Sequence, residues 1–258
     1  MSNGLYTSQV EEDENQRYLE QLRELELGKG MDPIYDIPHV SLYSHRAKLP
    51  VSTSSWRGLG LLANTFATES FVDELAVIAG KDPLHFRMEH LAGKLGNRVR
   101  TVLERVAQLA SWPGTPNNGS AMGIACCIDY GTIVAEIAEV TVSDGSIRVP
   151  RVWAVMDCGI VVNPDGAANQ VQGNIIWGLS SALKETIVFK EGRPTASNFG
   201  GYPLLRIDEA PEIVVDLLPS DRPPQGVGEP AIGPVPAALA NAVFKATGRR
   251  MRELPLRL

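Results

Sequence analysis

The sequence predicts an α+β fold. Helical and strand signals occupy separate stretches, a run of turn formers divides them, and the strand half opens on a hairpin signature. Helical periodicity fills residues 64–112, and strand-like Val and Ile runs begin at Ile133. Between them residues 113–120, PGTPNNGS, concentrate turn formers and mark the internal boundary. Three parts follow: an acidic N-terminal arm or helix over 1–30, a mainly helical segment over 31–112, and an α+β part over 121–258.

In residues 1–30, Glu11, Glu12, Asp13, Glu14, Glu20, Glu24 and Glu26 outnumber Arg17, Arg23 and Lys29. Tyr18, Leu22 and Leu25 fall at helical spacing before Gly28 and Gly30, which predicts either a short amphipathic helix with a glycine stop or a solvated arm. Pro33, Pro38 and Pro50 then favour extended segments and turns. The spacing of Phe71, Leu75, Ile78 and Ala79 predicts the inward stripe of a helix ending at Gly80. Asp82 followed by Pro83 is an N-cap with proline at the first helical position. That second helix carries Leu84, Met88 and Leu91, and a third carries the stripe Val99, Val102, Leu103, Val106, Leu109 and Ala110.

Residues 133–142 and 147–156 flank Asp144-Gly145 and predict a β-hairpin. A helix bearing Ala168, Val171, Ile175, Leu179 and Ala182 follows, then strands at 187–189 and 213–218. A loop rich in proline and glycine covers 219–236, and a last helix over 237–247 stops at Gly248.

Composition narrows the function. The 258 residues are 44% hydrophobic and 21% charged, as in ordinary globular domains. A net charge of -6 opposes binding to a phosphate backbone, so nucleic acid is not an expected partner. Three cysteines, with Cys126 and Cys127 adjacent, give no disulfide framework, and Cys126 and Cys127 read as small buried hydrophobes. No leader pattern or long apolar run appears, so the expectation is a cytoplasmic protein without a membrane span, periplasmic only if a partner carries an export signal. His39, His45, His85 and His90 form no ligand pattern, so no protein-ligated metal is expected.

Three segments could carry chemistry. In 223–236, PPQGVGEPAIGPVP, Gly226 and Gly228 offer backbone freedom or close ligand approach, and Glu229 stands between Gly228 and Pro230, where the chain has little freedom. The glycine spacing is not that of a dinucleotide-binding turn. In 156–164, MDCGIVVNP, a strand end leads into a helix on which Gln170 and Asn174 share a face. In 55–60, SWRGLG, Arg57 presents a planar fork of donors suited to an anion or a developing oxyanion. Each also has a plain reading: a rigid surface loop, solvated polar residues of a helix start, an ordinary ion pair.

The strings GVGEP, DCGIVVNPDGAANQVQGNIIWGLSSAL and WRGLGLLANTFATESFVDELAVIAGKDPLHFR together resemble the molybdenum hydroxylases of the xanthine oxidase and aldehyde oxidase family. The likeness runs from about Tyr35 to the end and is greatest to the C-terminal part of the molybdopterin-binding subunit of the isoquinoline 1-oxidoreductase subgroup. It implies mixed sheets with packed helices. It also implies an oxidoreductase that hydroxylates an N-heterocycle or an aldehyde with oxygen from water, Glu229 serving as the general base beside the molybdenum. Gln170 then corresponds to a glutamine contacting the pterin, and Arg57 to an arginine near the substrate. The family's MGQG-type cofactor segment is missing, which implies molybdopterin shared with a complementary chain and iron–sulfur clusters in a separate small subunit. The alternative is a truncated, non-catalytic remnant acting at most as a protein-binding domain.

Overall fold

The structure is a computed structural model that describes residues 26–43, 45, 51, 54–113 and 120–258. The helix expected around Tyr18 and Leu25 lies outside the described residues, as does most of the 113–120 boundary.

Helices α1 (Leu61–Ile78), α2 (Pro83–Glu89) and α3 (Gly93–Ala110) come first, and strands β1 (Ser120–Asp129), β2 (Thr132–Ser143) and β3 (Ser146–Asp157) follow. Helix α4 (Pro164–Leu183), the two-residue strands β4 (Phe189–Lys190) and β5 (Arg193–Pro194), strand β6 (Glu212–Leu217) and helix α5 (Val235–Thr247) complete the order. The main sheet runs β1-β2-β3-β6, antiparallel except for β6, which pairs with β3 in parallel. It is therefore a mixed sheet in an α+β fold.

Both tight turns of the main sheet have chemistry that explains them. Asp144 and Gly145 have φ of 51° and 75°, and Tyr130 and Gly131, joining β1 to β2, have φ of 49° and 76°. Two consecutive left-handed residues match the twist of the strands they connect. Asp82 caps α2 as expected, its carboxylate accepting from the amides of Leu84 and His85 at 2.9 and 3.0 Å.

Alternation along the strands divides the core into two layers. Ile133, Ala135, Ile137, Trp153 and Val155 pack with Met122, Ile124 and Cys126 against Val99, Val102, Leu103 and Val106 of α3. On the other face Val134, Ala138, Val152, Ala154 and Met156 meet α4 through Val171, Ile175 and Leu179, and α5 through its alanines. Helices from 31–112 and strands from 121–258 thus share one apolar cluster. Helix α5 lies so close to β1 that a Cβ on Gly123 would stand 2.2 Å from the carbonyl oxygen of Ala238. Any side chain there would displace the helix.

Helix α1 reverses the expected orientation. Phe71 is 57% and Ile78 81% exposed, while Thr65, Phe66, Glu69, Val72, Asp73 and Ala76 are buried. Charged partners decide this face. Glu69 accepts from the Tyr35 hydroxyl at 2.6 Å, the Arg87 Nε at 3.0 Å and the Cys126 amide at 2.9 Å, and Asp73 pairs with Arg250 at 2.7 Å. A carboxylate with several donors is tolerated in a core, and the apolar stripe turns outward. Strand β6 falls within one residue of the predicted 213–218, whereas the 187–189 strand is only a two-residue exposed ladder at Phe189–Lys190. The sequence reading did not anticipate β1.

Candidate active site

The chain's polar groups converge beside the β1–β2 turn, at the end of the sheet where β1 and β3 finish. The 225–229 loop is tied down there. Thr132 donates to the carbonyl of Gly226 at 2.7 Å, and the amide of Gln225 donates to the carbonyl of Cys158 at 2.8 Å. The same loop then enters a 3-10 turn over Pro230–Ile232, whose N-cap is Glu229 and whose first residue is a proline. The amide of Ile232 donates to the Glu229 carbonyl at 3.0 Å, so the backbone of the glutamate is fixed.

Arg57 joins the loop to helix α4. Its Nε donates to the carbonyl of Gly228 at 2.8 Å, and its Nη2 donates to Oε1 of Gln170 at 2.8 Å. Buried Asn174, one turn further on, donates to the carbonyls of Gln170 and Gly228 at 2.8 and 3.0 Å. The guanidinium lies 5.6 Å from the centroid of Trp177, which meets Trp56 edge to face at 5.2 Å. The approach of the arginine needs Gly58: φ is 83°, and a Cβ there would stand 2.5 Å from Ile232. Burial lowers the Arg57 guanidinium from its ordinary value, and the Glu229 charge opposes that.

Glu229, Arg57, Gln170 and Gly228 therefore belong to one connected patch, with Gly226 anchored beside it. Of the two reasons expected for Gly226 and Gly228, unusual backbone conformation is not the one used. Neither Gly226 nor Gly228 has a left-handed φ, and no atom lies within 4 Å of a Cβ placed on Gly228. What remains for a glycine there is an open approach to the backbone from outside.

Sequence reasoning missed Lys29, Asp129 and Tyr130. The ammonium of Lys29 stands 3.2 Å from Oε2 of Glu229 and 3.3 Å from Oδ1 of Asp129, and 3.8 Å from the ring centroid of Tyr130. Burial works against this ammonium, but Tyr130, Asp129 and Glu229 together raise it above its ordinary value. Burial raises the Asp129 carboxyl, and the neighbouring Glu229 adds to that while Lys29 counters it. The one local signal was a lysine between two glycines, Gly28 and Gly30. Cys126, Cys127 and Cys158 are free and buried.

A cavity of about 460 Å³ is lined by Tyr35, Thr65, Glu69 and Cys126, among others, and Glu229, Arg57 and Gln170 are not among its walls. Among the described residues no group of three His, Cys, Asp or Glu side chains converges as a metal site, and no helix is long and apolar enough to cross a membrane. The patch does fit one side of a flat, polar cofactor. The side-chain amide of exposed Gln170 keeps its two N–H donors, glycine backbone is open at Gly228, and Glu229 follows that glycine in the chain.

Several known proteins are similar to this chain. A family model described as molybdopterin cofactor-binding domain matches residues 67–211. One nicotinate dehydrogenase subunit from Pseudomonas putida is 37% identical over 245 residues, covering 87% of this chain and 20% of that protein. The beta subunit of isoquinoline 1-oxidoreductase from Brevundimonas diminuta is 34% identical over 228 residues, covering 86% of this chain and 29% of that protein. The chain thus spans less than a third of the length of these relatives. An aldehyde oxidoreductase from Desulfovibrio desulfuricans superposes with a TM-score of 0.62 at 15% identity, over 78% of this chain and 40% of that one, a likeness of fold. The matched domain covers more than half of the residues, and the chain belongs to the molybdopterin cofactor-binding domains of the molybdenum hydroxylases, the xanthine oxidase family.

Proposed function

We propose that this chain supplies one wall of the active site of a molybdenum hydroxylase acting on an N-heterocycle or an aldehyde, with Glu229 as general base. The observation that carries the reading is the Arg57 bridge, which fastens the backbone of the Glu229 turn to Gln170 on α4. A molybdenum–pterin cofactor, when bound, would supply a two-electron sink and the activation of water. The protein's part is positioning. Arg57 occupies the oxygen of the Gln170 amide, which leaves the N–H pair to donate to a pterin acceptor. Arg57 and Asn174 both hold the Gly228 carbonyl, and Pro230 limits the residue after it, so Glu229 is presented on a rigid backbone. Its Oε2 faces Lys29, and the side chain is about one-third exposed, so Oε1 can take a proton from a group above the loop.

The relatives named as subunits support a hetero-oligomer, in which a complementary chain closes the cofactor site and a small iron–sulfur subunit removes electrons. Large exposed side chains such as Val162, Phe199 and Ile207 are the kind of surface a companion chain covers. A cytoplasmic location remains part of the proposal. The test is molybdenum and pterin content after co-expression with the neighbouring reading frames. Near-stoichiometric cofactor is expected, falling about tenfold or more when Arg57 and Gln170 are both changed to Ala. No molybdenum in the wild-type chain after that co-expression would overturn the reading in favour of a non-catalytic remnant.

A further inference from the structure

Lys29 comes from a part of the chain that the family resemblance does not reach, yet its side chain is only 12% exposed and its ammonium lies between two carboxylates. Its placement is built from several sides. Asn64 on α1 donates through one amide nitrogen to the carbonyls of Leu27 and Lys29 at 2.7 and 2.8 Å. The amide of Gly60 donates to the Glu26 carbonyl at 3.1 Å, and a Cβ on Gly60 would stand 2.4 Å from the carbonyl oxygen of Leu27, so only glycine lets the strand of chain lie so close. Gly30 leaves the segment with φ of 76° against Thr65. On the far side Asp129 and Tyr130 are fixed by the β1–β2 turn. A long, flexible lysine is thereby delivered to one place on a folded surface, at a cost in side-chain entropy that a merely solvated lysine would not bear.

The consequence falls on Glu229. Among the described residues the charged groups facing it are Lys29, Asp129 and Arg57. Arg57 directs its hydrogen bonds to Gly228 and Gln170, so the ionic contact to the Glu229 carboxylate itself comes from Lys29. Resting on the reading of Glu229 as base, we infer that Lys29 is a positioning residue: it holds one oxygen of Glu229 so that the other faces the reacting centre, with Asp129 holding the same ammonium in place. The segment 26–30 is then part of the active-site wall.

Two measurements test this. In the assembled complex, Lys29→Met should lower kcat about 10- to 100-fold with KM changed less than about threefold, as a misplaced catalytic group does. Lys29→Arg should recover most of that loss, and Lys29→Met should add nothing to a Glu229→Gln background. In the full chain without cofactor, an amine-reactive ester followed by peptide mass mapping should label Lys29 far more slowly than exposed Lys94, and Glu229→Gln should speed labelling of Lys29 about tenfold. Wild-type kcat in Lys29→Met with an inactive Glu229→Gln would overturn the role of Lys29 alone. Wild-type kcat in both would overturn the base assignment as well. Equal losses in the Met and Arg variants, or labelling of Lys29 as fast as Lys94, would reduce it to a structural or solvated residue.

Discussion

Glu69 and Glu229 each stand beside a basic residue, and their surroundings differ in one respect that separates folding from chemistry. Around Glu69 both oxygens are engaged: Tyr35, Arg87 and the Cys126 amide donate to them, Arg87 also donates to its carbonyl, and the residue is buried. Around Glu229 the backbone is held as firmly, but the carboxylate is left with one ionic partner and an open side. The first arrangement joins α1, α2 and β1 in the core. The second keeps acceptor capacity for something outside the chain. Rigid backbone with unused side-chain capacity is the physical mark of a site.

The largest expected effect lies on the folding side. Replacing Arg87 by Leu leaves the Glu69 charge buried with its main cation gone, which should cost about 3–5 kcal/mol and lower Tm by about 10 °C or more. Thermal unfolding of the purified chain checks it, and a shift below about 2 °C would break the comparison at its structural end. A second expected change runs the other way. Glu136 is buried in β2 with neither carboxylate oxygen partnered, and burial pushes its carboxyl well above the ordinary value. The folded state therefore holds a proton that the unfolded chain releases above about pH 4.5, and stability falls as pH rises through that range. Glu136→Met should remove this penalty, raising Tm by about 2–5 °C at pH 8 with the gain fading toward pH 5. The smallest effect belongs to the site itself. Glu229→Gln should change stability by less than about 1 kcal/mol, since a partly exposed ion pair contributes little.

How much of this was legible in the sequence depends on range. Caps and turns are local, and Asp82, Asp144-Gly145 and Gly248 appear where they were read. The stripe of α3 was legible because its inward residues are all apolar. Helix α1 was not, because Glu69 and Asp73 turn inward to meet Arg87 and Arg250, 18 and 177 positions away. Strand β1, SAMGIACCID, carries few β-branched residues because Gly123 and its small neighbours admit α5 at close range, so propensity gave no strand signal. At the site, Glu229, Arg57 and Gln170 were singled out by their glycine, proline and helix-start settings, each with an ordinary alternative, and only the motif resemblance suggested roles for them. Lys29 escaped altogether: its partners lie 100 and 200 positions on, and among so many acidic neighbours it read as a counter-charge.

The measurement that bears most directly on the account is turnover of the assembled complex carrying Glu229→Gln, divided by its molybdenum content. A loss of about 10²- to 10⁴-fold with cofactor and Tm retained is predicted, the range a general base contributes. Turnover within a few-fold of wild type per molybdenum would contradict it.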